Sequence, residues 1–75
     1  METSLKHVRP GMQGVVTEIG VAKELERRLR DFGLVPGTKV CCRYRDPSEK
    51  VTALELRGTV VAMRTNDLQY IRVCC

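Results

Sequence analysis

The chain has 75 residues, and a length of this kind predicts one small domain spanning residues 1–75 without a deep catalytic cavity. No apolar run is long enough to cross a membrane, and the N-terminus lacks the apolar segment of a secretory signal. We therefore expect a cytoplasmic protein with no membrane insertion.

The net charge of +4 comes from basic residues spread along the chain. Such a balance permits contact with nucleic acid or with an acidic protein surface. Two tyrosines and one phenylalanine are the only aromatic side chains, which is a poor supply for stacking bases. We expect no nucleic-acid partner, and a small basic nucleic-acid-binding barrel is kept as an alternative.

The N-terminal part is predicted to hold one strand. Met1–Lys6 is expected to be a frayed end from which Leu5 docks on the domain. A Pro10-Gly11 turn leads into the strand Met12–Ile19, which is rich in β-branched residues. Gly14 and imperfect alternation inside this strand predict a bulge.

The strongest local signals lie in Val21–Val40. Leu25, Leu29 and Phe32 recur at helical spacing, which predicts one apolar stripe on a short amphipathic helix. Gly33 is expected to end this helix in a left-handed conformation.

Two turns and a strand should follow the helix. Leu34 lies where a Schellman motif would press it onto Leu29, and Pro36-Gly37 predicts a type II turn. Thr38–Arg45 then alternates as a half-buried strand. One face should carry Val40, Cys42 and Tyr44, and the other Lys39, Cys41, Arg43 and Arg45.

The remaining residues read as three strands. Val51–Arg57 and Thr59–Arg64 are separated by Gly58, and a 3₁₀ turn at Asp67–Gln69 precedes the strand Tyr70–Cys74. About five strands with one short helix inserted after the first predict a mostly β fold, a small and strongly twisted barrel.

Four cysteines occur as two adjacent pairs. Zinc and iron–sulfur sites normally use C-x₂-C spacing, whereas neighbours on a strand point to opposite faces. We expect Cys42 to be a small core residue, with no cofactor and no dedicated metal site. The candidates for a metal or redox role are Cys41, Cys42, Cys74 and Cys75, and at most one cysteine of each adjacent pair could easily bind a given ion.

Catalytic groups are not evident in the sequence. His7 is the single histidine and has no nucleophile or carboxylate placed with it, and the glycines do not form a phosphate-binding loop. We expect no enzyme activity.

Exposed arginines are the remaining candidates for function. Three lie on the predicted helix and two on the outer face of the next strand, where they would form a basic patch for an acidic protein partner. The alternative is a solvated face without a binding role. These residues are Arg27, Arg28, Arg30, Arg43 and Arg45.

The central block Arg28–Gly37 (RLRDFGLVPG) follows the pattern R-L-x-D-φ-G-L-x-P-G, where φ is hydrophobic. With Arg9–Gly11, Ala53–Gly58, Ala62–Arg64 and Ile71–Val73 in order around it, nearly the whole chain resembles the FeoA family, small accessory proteins of bacterial ferrous iron uptake. The resemblance implies an SH3-like β-barrel that acts with the membrane transporter FeoB, through its cytosolic GTPase region, without enzyme activity or a metal site. The paired cysteines are not part of the pattern.

Two further hypotheses are a domain related to metal-responsive repressors and self-association of the chain. The SH3-like domain of metal-responsive repressors is similar in fold, but 75 residues leave no space for the helix-turn-helix domain of such proteins. Weak self-association into a homo-oligomer is the other.

Overall fold

A computed structural model describes residues 1–75. It contains six strands and one α-helix: β1 (Glu2–Ser4), β2 (Gln13–Ile19), α1 (Lys23–Asp31), β3 (Lys39–Arg45), β4 (Val51–Leu56), β5 (Thr59–Arg64) and β6 (Ile71–Cys74). Two 3₁₀ helices span Leu5–His7 and Thr65–Tyr70. All strands pair antiparallel in the order β1-β6-β2-β3-β4-β5, which confirms the mostly β prediction.

The N-terminal residues form a strand rather than a frayed end. β1 pairs with β6, with Thr3 opposite Val73, and Leu5 after it is fully buried as expected. The prediction of a frayed end at Met1–Lys6 was wrong. The backbone of this segment forms hydrogen bonds with β6 near the C-terminus, and local sequence patterns do not reveal such a distant partner. The sheet therefore has six strands, and α1 follows the second.

Thirteen buried apolar side chains form one core. They come from strands β2 to β6, from α1, from both 3₁₀ helices and from the segments that follow Leu5–His7 and α1, so these parts of the chain cover the same interior. The residues are Leu5, Val8, Val16, Leu29, Leu34, Val40, Cys42, Leu54, Leu56, Met63, Leu68, Ile71 and Val73. No helix has the length and apolar character needed to cross a membrane.

Helix α1 ends as its sequence predicts. Gly33 has a φ of 90°, and its N–H donates to the Arg30 carbonyl at 2.9 Å. The Leu34 N–H donates to the Leu29 carbonyl at 2.9 Å. These two bonds define a Schellman motif, and they carry Leu34 into the core beside Leu29.

The expected type II turn follows. The Thr38 N–H donates to the Val35 carbonyl at 3.0 Å, and Gly37 has a φ of 94°. The Thr38 hydroxyl also donates to the Gly33 carbonyl at 2.7 Å, which joins the turn to the helix end. The direction in which the chain leaves α1 is thus fixed by local bonds.

A bulge in β2 agrees with the sequence. The register between β2 and β6 shifts between Val16 and Glu18. Gly14 lies so close to β6 that an added Cβ would be 3.2 Å from the Val73 Cβ, which explains why a residue without a side chain stands there.

A second bulge, in β3, was not predicted. Cys42 lies opposite Leu54 and Tyr44 opposite Ala53, so Arg43 is the extra residue. The bulge reverses the alternation, and Tyr44 is 56% exposed while Arg45 turns inward. The prediction that Tyr44 shares the buried face of this strand was therefore wrong.

Strands β4 and β5 form a hairpin at one end of the sheet. The connecting residues Arg57 and Gly58 have φ values of 51° and 78°, the left-handed pair of a type I′ turn. All six residues of β5 pair with β4, and no strand pairs with its other edge. This free edge borders a groove between β5 and α1.

Candidate functional site

The five arginines of the predicted basic patch lie in three places. Arg27, Arg28 and Arg30 are exposed on α1, and Arg43 is exposed at the bulge of β3. Arg45 is half-buried and bonded to the N-terminal segment, so the structure does not bring it to the helix arginines.

Two of these arginines form surface ion pairs. Arg30 pairs with Glu26 at 3.5 Å, and Arg43 pairs with Glu55. Exposed pairs of this kind contribute little stability and can be exchanged for a partner's carboxylates at small cost. Arg27 and Arg28 belong to none of the three ion pairs in the structure. The helix therefore presents two exposed arginines that no carboxylate of the chain pairs with.

A groove of about 170 Å³ runs between α1 and β5. The helix contributes mainly apolar side chains to one wall, and the edge strand contributes the other. Arg28 and Arg64 lie on opposite walls and outnumber the single lining carboxylate, Asp67, so the apolar residues of the groove have a basic rim. The lining residues are Leu25, Arg28, Leu29, Phe32, Val61, Ala62, Met63, Arg64 and Asp67.

Phe32 lies in this groove rather than in the core. It is 48% exposed, whereas Leu29 of the same predicted stripe is 3% exposed. Phe32 is the C-cap residue of α1, one step before the chain turns at Gly33, and Leu34 takes the core position beyond the turn. The prediction that Phe32 completes a stripe against the core was wrong at this last residue.

The outer face of the sheet continues the apolar surface. Ala62 of β5 lies opposite Ala53 of β4, which lies opposite Tyr44 of β3. Ala62 and Tyr44 are exposed, and Val60 on the edge strand is 61% exposed. The sequence did not indicate this row, because the bulge that turns Tyr44 outward has no local signal in the sequence.

The cysteines are dispersed. Cys42 is fully buried in the core, as predicted, and burial raises the pKa of its thiol. Cys41 is partly exposed on the opposite face, and Cys74 and Cys75 are exposed. No group of three or more His, Cys, Asp or Glu side chains is arranged to hold a metal ion.

Arg45 holds two parts of the chain together. Its Nη1 and Nη2 donate to the carbonyls of Lys6 and Val8 at 2.9 and 3.1 Å, and its Nε donates to the Thr52 hydroxyl at 2.9 Å. Thr52 and Thr65 share a buried hydroxyl hydrogen bond of 2.8 Å. This polar network joins β3 and β4 to both 3₁₀ helices.

Solved structures similar to this one include FeoA proteins and a transcriptional repressor. The FeoA protein of Chlorobium tepidum superposes with a TM-score of 0.92 and 28% identity, covering 96% of this chain and 69% of its own. FeoA of Stenotrophomonas maltophilia, solved with zinc, gives 0.79 and 21% over 95% of this chain and 88% of its own. A manganese-dependent transcriptional repressor gives 0.86 and 18% over 97% of this chain and 41% of its own.

The last two likenesses show the shared fold alone. The Stenotrophomonas maltophilia protein is described as a prokaryotic SH3 domain protein, so the SH3-like prediction is confirmed. A comparison with curated proteins finds no sequence match. The FeoA domain model, in contrast, matches residues 3–74, nearly the full length. The chain belongs to the FeoA domain family.

Proposed function

We propose that this protein is a cytoplasmic accessory protein of bacterial ferrous iron uptake, which binds the cytosolic GTPase region of the membrane transporter FeoB and modulates it. Family membership supports the link to iron transport. The Stenotrophomonas maltophilia relative is itself described as a candidate activating factor of ferrous iron transport. A role in binding also fits the surface, which offers a groove and a free edge strand.

The main support for this proposal is the exposed pair Arg28 and Phe32. They lie one helical turn apart, and both line the groove between α1 and β5. An exposed aromatic side chain beside an uncompensated arginine is typical of the residues that dominate binding energy in protein interfaces. Arg27 and Arg30 on the same helix extend the positive field, which steers an acidic surface towards the groove.

The free edge of β5 adds backbone recognition. An extended segment laid along this edge would pair with its unpaired N–H and C=O groups while placing alternate side chains over the groove. The basic rim favours a segment that carries Asp or Glu. The occupant we propose is therefore an acidic, extended segment of the transporter's cytosolic region.

The experiment compares two charge reversals of equal size. Arg27→Glu with Arg28→Glu should weaken binding of the transporter's soluble GTPase region about tenfold or more in calorimetry, by placing like charges across the interface. Lys6→Glu with Arg9→Glu makes an equal change of charge in the N-terminal segment, at residues that do not line the groove, and should change binding by less than about threefold. Equal effects of the two double variants on binding, or no effect of either, would contradict a role of the α1 face in binding the transporter.

A nucleic-acid-binding barrel is the second candidate. The net charge of +4 permits long-range attraction to nucleic acid. Binding to duplex DNA that falls steeply with salt, together with no binding to the transporter region, would favour this candidate over the first.

A further inference from the structure

A polar cleft of about 400 Å³ opens where the 3₁₀ helix Leu5–His7, the end of β3 and the 3₁₀ helix Thr65–Tyr70 meet. No hydrophobic side chain lines it. Lys6, His7 and Arg9 come from the N-terminal segment, and Arg45 comes from β3. The cleft is separate from the groove beside α1, since the two share no lining residue.

Positive charge in this cleft is only partly balanced. Lys6, Arg9 and Arg45 face a single carboxylate, Glu49, which also lines the cleft. The three ion pairs of the structure all involve other residues. Concave surfaces lined by one sign of charge concentrate the field and attract counter-ions.

Arg45 shows most clearly that the cleft has too little negative charge to balance its cations. It is half-buried, yet its three hydrogen bonds go to two carbonyls and one hydroxyl, none of which carries a charge. A guanidinium has five N–H donors, so two remain free. A charge that is partly removed from water is most stable beside an opposite charge.

We propose that this cleft binds a tetrahedral, dianionic oxyanion of the phosphate class, as free phosphate or as a phosphate group on a small polar molecule. Arginine side chains match the oxygens of phosphate in geometry and charge. Lys6 and Arg9 supply mobile cationic donors, and Asn66 supplies an amide donor at the rim. The lining is polar throughout, which favours an oxyanion with polar groups attached to it over an apolar ligand.

The test is an NMR titration of the ¹⁵N-labelled full chain at constant ionic strength and at a pH where phosphate is mainly a dianion. Inorganic phosphate and O-phosphoserine form two arms, which distinguish a free anion from a carried phosphate group, and acetate is the monovalent comparison. At least one of the two phosphate compounds should shift the amide signals of Lys6, His7 and Asn66 saturably, and acetate should not.

Two double variants localise the effect. Lys6→Gln with Arg9→Gln should weaken phosphate binding about tenfold or more, the change expected for loss of charge-assisted hydrogen bonds. Arg27→Gln with Arg28→Gln removes the same charge from α1 and should change binding by less than about twofold. Linear shifts that acetate reproduces, or wild-type phosphate affinity in the Lys6/Arg9 variant, would overturn the proposal without affecting the transporter contact.

Discussion

Arg45 donates a hydrogen bond from Nη2 to the Val8 carbonyl at 3.1 Å, which joins β3 to a segment 37 residues earlier in the chain. The bulge at Arg43 makes this contact feasible, because it turns Arg45 inward at the end of the strand. The strand alternation predicts that the Arg45 side chain lies on the outer surface. In the structure this side chain instead connects β3 to the N-terminal segment.

Replacement of Arg45 by Met should therefore destabilise the fold. Three hydrogen bonds are lost and their acceptors remain partly buried, so we expect about 2–3 kcal/mol less free energy of unfolding, measured by urea denaturation. Arg43→Met removes an exposed ion pair from the same strand and should cost less than about 1 kcal/mol. Similar losses in the two variants would contradict a structural role for Arg45.

The contrast between Arg45 and Gly33 shows which parts of the structure the sequence could predict. Gly33, Leu34 and Gly37 were placed correctly because their conformations depend on bonds within about six residues. The pairing of β1 with β6 depends on contacts between the two ends of the chain. No local pattern in the sequence encodes that pairing.

The candidate site also has parts that the sequence could predict and parts that it could not. The helical spacing correctly placed Arg27, Arg28 and Arg30 on an exposed face. It could not show that Phe32 and Arg64 line the same groove, because the groove depends on how α1 packs beside the edge of β5. The outward position of Tyr44 depends on a bulge, which alternation alone does not reveal.

Gly33→Ala should destabilise the protein by about 1–2 kcal/mol, because a φ of 90° is unfavourable for a residue with a Cβ. The added Cβ would also lie 2.8 Å from the Arg57 Cδ, although that flexible side chain can move away. Gly20→Ala is the matched control. A Cβ there would meet only the Tyr70 carbonyl at 3.4 Å, so the midpoint of thermal unfolding should change little. A larger loss for Gly20→Ala would contradict this assignment.

Alkylation should distinguish the cysteines by burial. Cys74 and Cys75 are exposed and should react first with iodoacetamide, Cys41 should react more slowly, and Cys42 should react only when the protein unfolds. Peptide mass spectrometry at increasing reaction times measures the order, and urea should accelerate Cys42 most. Reaction of Cys42 as fast as Cys74 in native buffer would be incompatible with its position in the core.

The Asp46 turn should contribute stability that depends on pH. The Ser48 hydroxyl and the N–H groups of Val51 and Lys50 all donate to the Asp46 carboxylate, and they hold its pKa below the ordinary value. A lowered pKa stabilises the folded state at pH values above the unfolded pKa of about 3.9, and this contribution is lost as pH falls through the folded pKa.

Asp46→Asn provides the measurement for this turn. Wild type should be more stable than the variant at pH 6, and the difference in urea midpoint should shrink steadily as the pH falls below about 4. A difference that stays constant has no dependence on pH, and one that grows towards low pH has the opposite dependence. Either result would exclude the carboxylate as its source.

We propose above all that the surface between α1 and β5 binds the transporter. The most direct test of this proposal is to add the unlabelled soluble GTPase region of FeoB to the ¹⁵N-labelled chain and to map the amide signals that shift or broaden. We predict changes at Arg28, Phe32 and along Val60–Arg64, with little change at Lys6 and Arg9. Absence of any change, or changes confined to residues away from α1 and β5, would contradict it.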